Sequence, residues 1–199
     1  MGNKEETKGK ILEALGRVIE NKGVQAAGVN SVASEAGVDK VLIYRYFGGI
    51  DGLLSEYISG IDFFANVTRK FGSLSSISTK EELIAAVKRL FAEQMKEMTG
   101  NTVLREILIW ELSADNEISR KIARQREANS MKLIREIKKR FDFIELDIEG
   151  TISIISAAVY YLAIRSKTAD VYTGISLTSR QGQSRFEKTI GSLIDIMSK

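Results

Sequence analysis

The stretch VNSVASEAGVDKVLIYRYF, from Val29 to Phe47, limits the fold more tightly than any other part of the chain. Val29, Val32, Ala33 and Ala36 recur at helical spacing, which gives a short helix with one apolar face over Asn30 to Ala36. Gly37 supplies a residue able to take positive φ where that helix stops. Asp39 follows as an N-cap candidate, its carboxylate able to accept from the free N–H groups of the next turn. A second short helix runs from Lys40 to Phe47, with Ile43 and Phe47 four apart and directed inward. Two short helices about a tight glycine turn form a helix-turn-helix. The second helix turns Lys40, Val41, Tyr44, Arg45 and Tyr46 outward, with Leu42 partly buried. That set offers cations for phosphate, planar groups for packing and hydrogen bonding, and an apolar contact for thymine methyls.

On these residues the chain resembles the tetracycline-repressor (TetR) family of one-component regulators. The pattern Gly37-Val38-x-Lys40-x-x-Ile43-Tyr44-x-x-Phe47, followed by Leu53-Leu54 and preceded by the helix Ile11 to Gly23, carries the likeness. The resemblance implies an all-α fold of about nine helices, with a three-helix DNA-binding domain at residues 1–49 and a larger helical effector-binding and dimerisation domain at 50–199. It also implies that Asn30, Asp39, Lys40, Val41, Leu42, Tyr44, Arg45 and Tyr46 form the DNA-binding site. Two positions depart from the family pattern. Ile50 stands where a backbone-gripping lysine is common, and Ala27-Gly28 stands where a hydroxyl N-cap is expected.

Composition narrows the chemistry. The 199 residues include no Pro, no Cys and no His. Without proline nothing interrupts the long periodic segments, and an all-α fold follows. Without cysteine there are no disulfides and no thiolate chemistry. Without histidine the usual general base and the usual metal ligand are both missing. No catalytic residues, metal site or cofactor are expected, and neither paired carboxylates nor a phosphate-cradling glycine loop appears. The net charge of +3 permits a nucleic-acid partner. Within the first 47 residues, however, Lys4, Lys8, Lys10, Arg17, Lys22, Lys40 and Arg45 are nearly balanced by Glu5, Glu6, Glu13, Glu20, Glu35 and Asp39. The charged N-terminus MGNKEETKGK lacks the apolar run of a secretory signal, and Ile152 to Ile164 is short for a bilayer span and holds Ser153 and Ser156. A cytoplasmic location is the expectation.

Beyond the head, periodicity marks the elements. A first helix spans about Lys4 to Asn21, and a fourth runs from about Asp51 to Phe71, with Asp51 at its start. Thr79 and Glu82 make a capping box ahead of a helix to about Met98. Asn101 or Thr102 opens a helix to Leu112, and Asp115 caps a long helix to about Phe141 with a strongly basic face. Ile148, Ile152, Ile155, Val159 and Leu162 recur in alternating steps of four and three, and Phe186, Ile190, Leu193 and Met197 repeat that spacing in a last helix beginning at Leu177 and Thr178. A second apolar stripe, Ile154, Ala158, Tyr161 and Ile164, lies on another face of the penultimate helix. The connection from Thr168 to Leu177 is long, and the sequence leaves open whether it caps a pocket, extends the preceding helix or moves.

The expected function is that of a homodimeric, sequence-specific regulator binding double-stranded operator DNA; the resemblance implies that the four-three stripes form an intersubunit bundle, the alternative being that both bury within one subunit. The resemblance further implies release by a small-molecule effector in an apolar pocket. Phe64, Phe91, Met95, Trp110 and Met131 are lining candidates, with Gln125 and Asn129 as hydrogen-bonding positions. The competing reading is a helical dimer that binds a ligand or protein and has lost DNA recognition.

Overall fold

The computed structural model describes residues 2–61, 77–140 and 147–198. Phe64 and the expected ends of helices at Phe71 and Phe141 lie outside them. Within the described residues the chain forms nine α-helices: α1 (Gly2–Lys22), α2 (Val29–Ala36), α3 (Val41–Phe47), α4 (Ile50–Ile61), α5 (Lys80–Gly100), α6 (Thr102–Ser113), α7 (Glu117–Arg140), α8 (Ile148–Arg165) and α9 (Arg180–Met197). A 3-10 turn, Val24–Ala26, joins α1 to α2.

Packing divides the chain into two compact units. One comprises Met1–Asp62 with Thr102–Arg126, and the other Phe63–Asn101 with Glu127–Lys199. In the first, α1 lies against α2, α4, α6 and the 3-10 turn, and α3 lies against α4. Their shared core is Ile11, Leu15, Ile19, Val32, Ile43, Phe47, Leu53, Ile58, Ile107, Trp110 and Ile122, all buried. These are the apolar positions of short amphipathic helices, and burial of a side chain of this size contributes about 1.5–3 kcal/mol. In the second unit α5 packs on both α8 and α9. Phe91 and Met95 are buried there, and Lys88 pairs with Asp195 at 2.5 Å.

Helix starts follow side-chain oxygens. Thr79 Oγ1 accepts from Glu82 N–H at 3.1 Å while the Glu82 carboxylate accepts from Thr79 N–H, the reciprocal cap that the sequence predicts. One expected cap and one expected helix start move. The long helix is capped by Asn116, whose Oδ1 accepts from Ser119 N–H at 2.9 Å, whereas Asp115 pairs with Arg120. The last helix starts at Arg180, capped by Ser179, whose Oγ accepts from Gly182 N–H at 3.1 Å. In both cases the residue nearer the helix offers the shorter reach to the orphan donors.

The open connection is a β-hairpin of two short strands, β1 (Val171–Tyr172) and β2 (Ile175–Ser176), paired antiparallel. Thr173 and Gly174 turn it with φ of 48° and 79°. Positive φ at both central residues suits the right-handed strand twist, and the β-branched residues flanking Thr-Gly were its signal in the sequence. The Asp170 carboxylate accepts from the Thr178 hydroxyl, from Thr178 N–H and from the Ser176 hydroxyl, tying the hairpin to the approach of α9.

The α8 stripe requires a correction. Ile148, Ile152, Ile155, Val159 and Leu162 are buried inside this single chain, as is Ile190 of α9, so they are core and not a surface for a second subunit. Phe186 is half-buried, whereas Leu193 and Met197 are exposed. The exposed apolar residues of α8 are those of the other stripe, Ile154 at 69% and Tyr161 at 50%. At 18 residues with hydropathy 1.3, α8 is long and apolar enough to cross a membrane, but its buried face packs on α5 and α9.

Candidate nucleic-acid interface

The reading helix is built from its turn outward. Gly37 ends α2 at φ 65°, ψ 36°, a left-handed conformation in which a side chain would be strained. The chain then re-enters a helix where Asp39 Oδ1 accepts from Val41 N–H at 2.8 Å. The absent hydroxyl cap of α2 is replaced from within the helix: Gly28 N–H donates to Ser31 Oγ at 2.9 Å, and that hydroxyl reaches the Ala26 carbonyl at 2.7 Å. Arg17 of α1 bonds Glu35 of α2 at 2.7 Å and holds the pair in register.

On α3, Ile43 and Phe47 are buried, while Val41 is 60% and Tyr44 57% exposed. Lys40, Arg45, Asp39 and Asn30 are exposed as well, with Leu42 and Tyr46 half-buried. All of the expected DNA-contacting residues are thus at least partly exposed, with Asp39 spent on the start of α3.

Charge is sorted by pairing. Lys8 bonds Glu56 at 2.9 Å, Lys10 bonds Glu6 at 2.7 Å, and Arg17 is taken by Glu35. The hydrogen bond to Glu56 holds the Lys8 ammonium above its ordinary range, against the opposing effect of desolvation. Lys8 and Lys10 are therefore occupied. Among the described residues Lys4, Lys40 and Arg45 make no ion pair. Lys4 Nζ stands 5.9 Å from the Tyr46 ring centre and the Arg45 guanidinium 6.0 Å from it, so two cations flank one ring beside the reading helix. Lys4, Lys40 and Arg45 thus leave positive charge without an ion pair on or near α3, and Lys22 at the end of α1 does so as well. Sequence reasoning missed Lys4, because only the fold brings the first turn of α1 to Tyr46.

Ile50 is half-buried and packed on the head's core, so it supplies no cation. Tyr57 lies over Gly16, where a β-carbon would meet the phenol oxygen at 2.5 Å. Burial, with Glu20 nearby, pushes that phenol upward.

The effector candidates are distributed over both units. Trp110 is buried in the first unit and Gln125 is exposed there. Phe91 and Met95 are fully buried in the second, where Asn129 and Met131 are half-buried. The second unit also holds a residue the sequence did not single out. Gln94 is 0% exposed, and neither atom of its carboxamide finds a hydrogen-bond partner among the described residues. Its signal was a glutamine three residues after Phe91, in the apolar phase of α5. An apolar cavity of about 30 Å³ in that unit is lined by Leu83, Val87, Ile137, Ile152 and Ile194, with the buried Thr151 hydroxyl also unpartnered.

Residues 11–57 match the model of "Bacterial regulatory proteins, tetR family". A relative from Vibrio parahaemolyticus serotype O3:K6, the HTH-type transcriptional regulator BetI, is 29% identical over 161 residues, covering 78% of this chain and 79% of its own. BetI of Vibrio vulnificus is 26% identical over 142 residues, 70% of this chain and 71% of its own. The fold is shared with the fatty acid degradation regulator FadR from Bacillus halodurans, at TM-score 0.68 and 20% identity over 93% of this chain and 96% of that one. It is shared also with NalD of Pseudomonas aeruginosa, the secondary repressor of the MexAB-OprM multidrug efflux pump, at TM-score 0.68 and 16% identity over 97% and 96%. Residues 11–57 therefore match the DNA-binding domain of the tetR family, and over most of its length the chain is similar to HTH-type transcriptional regulators, which supports a DNA-binding transcriptional regulator.

Proposed function

We propose that the protein is a homodimeric repressor that places α3 of each subunit in successive major grooves of a near-palindromic operator and releases it when a small molecule binds. The observation that carries this reading is the division of α3, with Ile43 and Phe47 buried and Val41, Tyr44 and Arg45 exposed. Lys40, Arg45 and Lys4 meet phosphate, Val41 touches thymine methyls, and Tyr44 packs on sugar and base edges. Residues 1–49 act as the reading head and 50–199 carry effector binding and dimerisation.

The second subunit docks on the outer stripe of α8 and the exposed end of α9: Ile154, Tyr161, Leu193, Ile196 and Met197 are each more than two-fifths exposed. Large apolar side chains gathered on two neighbouring helices support an interface, since water is a poor solvent for them.

Binding to promoter DNA from the protein's own genome tests the reading. Fragments retained from a genomic digest identify the operator, and Lys40→Ala and Tyr44→Ala are then titrated by mobility shift. A loss of about tenfold for each, the scale of one lost contact of about 1.4 kcal/mol, is expected. Unchanged affinity in both removes α3 as the reader. Ile50 in place of the usual lysine favours the second reading, a dimeric ligand- or protein-binding module without DNA recognition, which predicts no retained fragments.

A further inference from the structure

Within the first unit, α4 and the start of α7 enclose a depression of about 70 Å³ lined by Ser55, Ile58, Ser59, Lys121, Ile122, Gln125 and Arg126. Ile58 and Ile122 belong to the unit's apolar core and form its floor. Polar groups from both helices surround that floor. The Ser55 hydroxyl is enclosed and has no hydrogen-bond partner among the described residues. A helical serine satisfies itself by bonding the carbonyl one turn back, so a hydroxyl that forgoes this is available to something else. Arg126 is held in place by Glu111 of α6 at 2.9 Å, both side chains being little exposed. That pair is neutral in sum, whereas Lys121 is exposed and makes no ion pair among the described residues. The lining therefore carries one net positive charge on an apolar floor, with hydroxyl and amide donors around it.

We propose that this depression binds a small organic monoanion, a carboxylate with a short aliphatic chain. Lys121 supplies the counter-charge and Ser55 and Ser59 donate to the carboxylate oxygens, while the chain lies on Ile58 and Ile122. A single uncompensated cation matches a monoanion; a phosphate dianion would be left with charge unanswered. The volume admits a carboxylate and a few methylenes. The consequence for DNA rests on the function proposed above: a ligand clamped between α4 and α7 holds the helix whose first turn is pressed against α3, and so biases the set of the reading helix.

The test uses the full chain and sodium hexanoate, read through the emission of Trp110, which adjoins Glu111 and is the one tryptophan in the sequence. A saturable change is expected with hexanoate. Hexan-1-ol and inorganic phosphate at the same concentrations should give none. Lys121→Glu should weaken hexanoate at least tenfold and Ser55→Ala should weaken it severalfold. Arg124→Glu, outside the depression, should bind as the parent does, with circular dichroism verifying that each variant is folded. An equal response to hexan-1-ol or to phosphate, or a Lys121→Glu protein that binds hexanoate normally, overturns the proposal. Mobility shifts on the same preparations separate the two readings. Hexanoate binding without promoter binding keeps the site and defeats the operator reading; promoter binding without hexanoate binding does the reverse.

Discussion

Gly52, in the first turn of α4, approaches the carbonyl oxygen of Phe47, the last residue of α3, so closely that a β-carbon on it would lie 1.7 Å from that oxygen. The contact is backbone against backbone, so no rotamer change relieves it. It fixes the angle at which the reading helix leaves α4. Gly52→Ala is expected to lower stability by about 1–3 kcal/mol, the usual cost of forcing a methyl into packed structure. Thermal denaturation checks this, and unaltered stability would show that the junction yields.

The cation pair around Tyr46 makes a prediction the sequence did not contain. Lys4→Ala is expected to weaken operator binding and to reduce the slope of log affinity against log salt by about one, the signature of a single lost phosphate contact. Lys10→Ala, whose ammonium is held by Glu6, should leave the slope unchanged. Titrations at several salt concentrations distinguish them.

The two stripes of α8 differ in what a charge does to them. Tyr161→Glu is expected to yield a folded monomer, because the side chain is half exposed in the single chain. Ile155→Glu is expected to unfold the second unit, since its site is buried and a carboxylate there loses its water. Sedimentation together with circular dichroism reads both outcomes. A Tyr161→Glu protein that remains dimeric would place the interface elsewhere.

Breaking the Arg126–Glu111 pair is expected to be costly. Arg126→Met leaves a carboxylate only 10% exposed without its cation, and such losses run to about 3–5 kcal/mol. Replacing both partners, as Arg126→Met with Glu111→Leu, should recover much of that loss. Chemical denaturation of the single and double variants measures the difference.

The Asp170 staple sets a pH dependence. The Thr178 hydroxyl bond, helped by Ser176 and the Thr178 N–H, holds this carboxyl below the ordinary carboxylate value despite some desolvation. A depressed folded value means that the carboxylate's contribution is complete above the ordinary value and disappears as pH falls through the lowered one. The protection of the Thr178 N–H, its exchange measured against the intrinsic rate at each pH, should fall over that acidic range, and Asp170→Asn should show reduced protection at neutral pH with no such step.

Much of the head was legible beforehand because its signals are local. Gly37 at a left-handed turn, Asp39 at the start of α3, and Ile43 with Phe47 on one face each depend on neighbours within a few residues. The capping box at Thr79 and Glu82 was readable for the same reason. Less was legible in the candidate ligand positions. Trp110 and Gln125 fall in one packing unit and Phe91 and Met95 in the other, a division that helical spacing does not encode.

What the sequence by itself determined was which segments become helices and which faces of them are apolar, since a period of 3.6 is a property of adjacent residues. It could not choose between the two apolar stripes of α8. Both avoid water, and only packing on α5 and α9 decided that Ile155 and Val159 go inside while Ile154 and Tyr161 stay out. The pairing of Lys8 with Glu56 and the approach of Lys4 to Tyr46 were likewise decided in three dimensions. Coulombic and stacking partners are chosen by distance in space, which separation along the chain does not reveal.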